Sequence, residues 1–159
     1  MGLRQFRDSG VMHSLADDLR VAEGATEAMR ILFVHAGSEQ ELCRILSRGG
    51  HEVLAVPVSG RPSRFVGVFV PDLIVVAVGE PAEVCATMRA AAPRAAIVAV
   101  VRNASVDDRV DALEAGADDC LGTPLNVAEL FARLHAAVRF RASARRCPAK
   151  PPQSPTASP

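Results

Sequence analysis

The stretch "PDLIVVAVGEP", Pro71 to Pro81, holds an unbroken apolar run closed by a short polar turn. Between Asp72 and Gly79 no side chain needs water, and a run of that length bounded by turn residues suits a strand at the centre of a parallel sheet covered on both faces. Open α/β sheets place their chemistry at the C-terminal ends of such strands. Here that end is Ala77 and Val78, which carry none.

Working outward, "MRILFVH" at 29–35 is another buried-strand pattern, and "AGS" after it supplies a turn. Ser38 followed three residues on by Glu41 reads as a capping box for a helix with Leu42, Ile45 and Leu46 on one face, stopped by Gly49 and Gly50. "EVLAVPV" at 52–58 is a second strand, and "SGRPSRFVGVFV" is a weak helix interrupted by Gly67. Beyond the opening stretch, "PAEVCATMRAAAP" at 81–93 is a helix with Pro81 in its first turn, and "AAIVAVV" at 95–101 is a strand. "SVDDRVDALEAGADD" is a helix capped by Ser105, with Val106, Val110 and Leu113 on one face and Gly116 as its stop. "DCLG" at 119–122 is a short strand, and 126–140 a last helix capped by Asn126 with Leu130, Leu134 and Val138 in register. Five strands alternating with five helices specify a doubly wound α/β fold, because parallel strands need helical crossovers.

The chain of 159 residues fits one domain with short appendages. Residues 1–29 are expected to be a mostly flexible extension containing "SLADDLRVAE", a short amphipathic pattern; a start codon assigned too early is the alternative, since Met29 opens the first strand. Residues 30–141 are expected to form the domain, and 142–159, rich in Pro, Ser and Ala, a disordered tail. No apolar run is long enough to span a bilayer and no secretory signal opens the chain, so no membrane partner and a cytoplasmic location are expected. Cys43, Cys85, Cys120 and Cys147 lack zinc or disulfide spacing and read as reduced, mostly buried thiols; no metal and no cofactor are expected. Net charge is zero, but the body is acidic and the tail basic. The arginines of "RFRASARRCPAK", without aromatic interleaving or a folded reader, do not make this chain alone a nucleic-acid binder.

The order of motifs over roughly 30–140 resembles a response regulator receiver domain of the CheY-like, OmpR/PhoB type, with the flavodoxin-like strand order 2-1-3-4-5. "DDRVDALEAGADDCLGTPLNVAELFARLHAAVRF" is similar to the family's fourth helix, fifth strand and fifth helix, and "PDLIVVAVGEP" to its third strand. The resemblance implies bacterial two-component signalling and a phosphorylation site. That site needs an acidic pair for Mg²⁺, an aspartate as phosphate acceptor, and a hydroxyl and a lysine for the phosphoryl oxygens. In this sequence His35 and Ala36 stand for the acidic pair, Ala77 for the acceptor, Val101 for the hydroxyl and Thr123 for the lysine. The loop after the third strand is shortened, and Cys120 replaces the aromatic residue that reports phosphorylation. The expectation is a degenerate pseudo-receiver with no catalytic residue, not an enzyme. Glu80, a lone loop carboxylate, reads as a solvated residue, and His35 as a structural or partly exposed histidine.

In the family, the fourth helix, fifth strand and fifth helix form a two-fold dimer face. By resemblance Arg109, Asp118, Asp119, Glu129 and Arg133 supply its ion pairs, which implies a homodimer or a protein partner on that face. The expected function is phosphorylation-independent protein interaction in signalling or transcription control. The alternatives are a small-molecule sensor using the vacated crevice, and a remnant of a longer DNA-binding regulator.

Overall fold

The computed structural model describes residues 27–144. Five parallel strands form one sheet in the order β2-β1-β3-β4-β5: β1 Arg30–His35, β2 Glu52–Pro57, β3 Leu73–Ala77, β4 Ala96–Arg102 and β5 Asp119–Thr123. The crossovers carry α1 Gln40–Arg48, a short α2 Val66–Phe69, α3 Pro81–Ala91 and α4 Val106–Glu114, and the long α5 Val127–Ala144 follows β5. The expected flexible extension and disordered tail lie outside the described residues, except at 27–29 and 142–144.

Strand alternation sends Ile31, Phe33, Leu73, Val75 and Val98 toward α1 and α5, where Leu46, Leu130, Phe131 and Leu134 meet them. Leu32, Val34, Ile74, Val76 and Ile97 point to the other face, against Cys85 and Met88 of α3 and Ala112 of α4. All five residues of β3 are buried, as the opening run requires. Gly49 ends α1 at a position where a Cβ would lie 2.6 Å from the Phe131 ring, so glycine alone lets α1 close on α5.

The Ser38–Glu41 capping box does not form, because α1 starts later, at Gln40, with no side-chain cap. Instead the Glu39 carboxylate turns back and accepts from the Ala36, Gly37 and Ser38 amides and the Ser38 hydroxyl. The Val106, Val110 and Leu113 stripe of α4 faces outward, Val106 being 74% exposed, while Ala112 is the helix's buried residue. The segment predicted as one weak helix is two 3₁₀ turns, Val58–Gly60 and Pro62–Phe65, followed by the single turn of α2. Arg61, between the two 3₁₀ turns, and Val70, just after α2, have φ of +54° and +49°. For a β-branched residue such as Val70 that conformation costs on the order of 1–3 kcal/mol. Ser105 and Asn126 do cap their helices: Ser105 Oγ accepts from the Asp108 amide at 3.1 Å within a full capping box, and Asn126 Oδ1 from the Glu129 amide at 2.9 Å.

α5 runs through Ala144, beyond the predicted end at 140, because Arg141 Nε donates to Asp118 Oδ1 at 2.6 Å. Asp118 Oδ2 accepts from Arg89 at 2.8 Å and from the Ile97 amide at 2.8 Å. Arg89 also donates to the carbonyls of Ala95 and Gly116. One carboxylate, with its side chain 6% exposed, thus joins α3, β4, the turn before β5 and α5. Burial presses the Arg89 guanidinium pKa down, and Asp118 opposes that effect. Asp118→Ala strands two arginines and is expected to cost about 3 kcal/mol. Urea unfolding should show a lowered midpoint at unchanged slope; a loss within about 0.5 kcal/mol would show the junction to be dispensable.

At the same N-terminal end of the sheet, ahead of β1 and β2, buried His51 accepts a hydrogen bond from the Met29 amide at Nδ1, 3.3 Å away, and packs against Phe131 and His135. Burial holds His51 below the usual histidine range; burial, then His51 and Arg139, do the same for His135. The fold favours both neutral forms, so the unfolded chain binds more protons. Stability is therefore full above about pH 6.5 and falls as pH drops below it. His51→Gln is expected to flatten stability between pH 7 and pH 5 relative to wild type, measured by thermal melting. An unchanged slope would remove His51 from the account.

Candidate functional site

The C-terminal strand ends bring His35 and Ala77 side by side in register on β1 and β3. His35 is half-buried and stacks on Phe33 at 5.4 Å between ring centroids. Ala77 is 2% exposed and Val101 3%, so both belong to the apolar layers and present no polar atom of their side chains to a ligand. Thr123 stands at the end of β5, paired with Arg102, before a cis bond to Pro124. Ala36 contributes its amide to Glu39.

Glu39, which the sequence reading passed over, is the carboxylate nearest in sequence to the vacant acidic positions. Burial pushes its pKa up, but the Ser38 hydroxyl and the Gly37, Ser38 and Ala36 amides outweigh that and hold it below the usual carboxylate range. Its oxygens are committed to those donors, which ties down the loop after β1. Glu80 is exposed at the start of α3 and makes no side-chain cap. Among the described residues no group of three or more His, Cys, Asp or Glu side chains is arranged to hold a metal ion.

A second constellation lies along the β5 edge. Arg133 of α5 donates to Glu129 at 2.8 Å and to Asp119 at 3.2 Å, and these hydrogen bonds, Glu129's first, raise its pKa. Arg109 of α4 reaches over Gly122 and makes one long contact, 3.4 Å, to the Ala104 carbonyl. Arg109, Arg133, Glu129 and Thr123 line an open depression of about 270 Å³ floored by Cys120 and Leu121. Burial pushes the Cys120 thiol up and Arg109 opposes it. Cys85 is pushed up to about 12, mainly by burial. Asp118 is the exception in this group, since its carboxylate points inward to Arg89 and Arg141. The structure therefore brings Arg109, Asp119, Glu129 and Arg133 together on one surface and leaves Asp118 beneath it. Val106, Val110 and Leu113 stand exposed on the same helix as Arg109.

No protein-family model matches the chain. Among curated proteins, the transcriptional regulatory protein PrrA of Mycobacterium tuberculosis is 36% identical over 120 residues, covering 72% of this chain and 52% of the relative. The transcriptional regulatory protein TcrA of the same organism is 34% identical over 122 residues, covering 73% of this chain and 48% of the relative. The chain thus spans about half the length of these relatives. Among solved structures, a CheY-like response regulator receiver domain from Methanospirillum hungatei superposes with a TM-score of 0.65 at 21% identity, over 74% of this chain and 99% of that one. Among the described residues no helix is long and apolar enough to cross a membrane. Strand order, flanking helices and these likenesses agree: the chain carries a CheY-like receiver domain of the response regulator family, the class that serves two-component signalling.

Proposed function

We propose that this receiver works without phosphorylation, as a protein-interaction module rather than an enzyme, and that its working surface is the face made by α4, β5 and α5. The observation that carries the first half is the pair of buried apolar side chains, Ala77 and Val101, at positions where phosphoryl transfer needs a carboxylate and a hydroxyl. His35 and Ala36 offer Mg²⁺ no carboxylate, Thr123 brings no ammonium charge to the phosphoryl oxygens, and Glu39, the neighbouring carboxylate, is bound to its own loop. With no charged cluster to switch, the domain rests in one state.

The second half is supported by what α4 exposes. A helix that turns Val106, Val110 and Leu113 to solvent, beside Arg109 and the Asp119–Arg133–Glu129 network, offers apolar contact and charges of both signs on one surface. A two-fold contact needs such self-complementarity: Arg109 of one protomer can meet Asp119 or Glu129 of its partner while the valines pack across the axis. Surface ion pairs contribute little alone, so the apolar stripe supplies most of the association and the charges its register. The sensor reading has less support, because the crevice residues Ala77 and Val101 are packed into the two core layers.

Sedimentation of wild type, Val110→Asp and Arg109→Glu tests the surface. The expected result is a dimer for wild type and at least a tenfold weaker association for each variant, about 1.4 kcal/mol, with unchanged melting because both positions are exposed. Acetyl phosphate with Mg²⁺ should leave the wild-type dimer constant unaltered. A wild-type monomer, or a dimer indifferent to both changes, would contradict the assigned face.

A further inference from the structure

At the other end of the sheet from β5, the connection between β2 and β3 exposes a second apolar surface. Val66 and Phe69 of α2 pack inward against the sheet, while Phe65, Val68 and Val70 turn out, Val68 being 89% exposed. Val70 is held outward by its left-handed backbone. From Val53 to Pro71 the only charged residues are Arg61 and Arg64, both exposed, so this segment is apolar and its own charges are basic. Nothing in the described residues covers it.

The stretch of sequence ahead of the domain, 12–28, has the complementary character. Met12, Leu15, Leu19 and Ala22 recur at helical spacing, and between His13 and Ala28 the charges are Asp17, Asp18, Glu23 and Glu27 against Arg20. This segment joins the domain next to the surface. The Arg30 amide donates to the Asp72 carboxylate at 3.0 Å and the Asp72 amide to the Arg30 carbonyl at 3.0 Å, and Asp72 lies two residues beyond Val70. Gly24 to Ala28, five residues, reach about 17 Å when extended, enough to turn the chain from Met29 back along α2. A tether that short supplies a high effective concentration, so few contacts are needed.

We infer that the segment 12–23 docks in cis on the surface formed by Phe65, Val68, Val70, Arg61 and Arg64, its leucines on the valines and its carboxylates beside the arginines. The contact shields the apolar patch of α2 and leaves the β5 edge open, so it is independent of the dimer face. An acidic amphipathic helix of another protein would have to displace the segment to reach the same surface.

Hydrogen exchange of the full chain tests this. In wild type, amides within 12–23 are expected to exchange about tenfold or more slower than in Val68→Asp, at equal rates across a tenfold dilution. Leu15→Asp with Leu19→Asp should in turn speed exchange at 65–70 while the strands keep their protection in every variant, which separates undocking from unfolding. Exchange of 12–23 that is the same in wild type and Val68→Asp would overturn the inference. So would protection that dilution removes, which marks a second copy as the occupant, or protection at 65–70 that appears only with phosphatidylserine vesicles, which marks a membrane.

Discussion

β3 has no side that meets water. Its five residues lie between α1 and α5 on one face and α3 and α4 on the other, and each neighbour is placed by the need to cover one half of that strand. The order of the strands follows, since a strand buried on both faces must sit inside the sheet and be reached by helical crossovers of one hand. The chemistry of the strand ends is set by the same constraint. Ala77 and Val101, at the C-terminal ends of β3 and β4, belong to those layers and are almost fully buried.

Polar groups hold the ends of this apolar sandwich. Asp118 gathers Arg89, Arg141 and the Ile97 amide, which fixes α3 and α5 to the β4–β5 edge and lengthens α5 by a turn. Glu39 gathers three amides and freezes the loop after β1. Both carboxylates are spent on architecture. Arg109, by contrast, has a single long hydrogen bond to the protein among those described, and it sits beside three apolar side chains that the core does not use. The contrast between filled strand ends and an unfilled α4 surface is what directs the functional reading toward contact between proteins.

The sequence carried the sheet well, because a buried parallel strand leaves an unmistakable apolar run and the flanking helices begin or end at Ser105, Asn126, Pro81 and Gly49. The residue types at the strand ends, His35, Ala77, Val101 and Thr123, can likewise be read directly, and the structure places them at or next to the C-terminal ends of β1, β3, β4 and β5. Spacing failed where it had to tell inside from outside. Val106, Val110 and Leu113 share a face, but α4 covers the sheet with Ala112, and periodicity does not say which face turns inward. Ser38 and Glu41 have capping-box spacing, yet Glu39 captures the amides of that loop first. Nor can the Asp118–Asp119 pair reveal that one carboxylate points in and the other out, because that depends on arginines 29 and 23 residues away in sequence from Asp118.

The claim that matters most is that this receiver has one state and no phosphorylation switch. Amide NMR spectra of the full chain, recorded with and without Mg²⁺ and a beryllium fluoride phosphoryl mimic, address it most directly. The account predicts superimposable spectra at millimolar Mg²⁺ and mimic, with His35, Ala77, Val101 and Thr123 unmoved. Saturable shifts at the ends of β1, β3 and β5 that spread to α4 would contradict it, because they would show an anion-responsive site coupled to the interaction face.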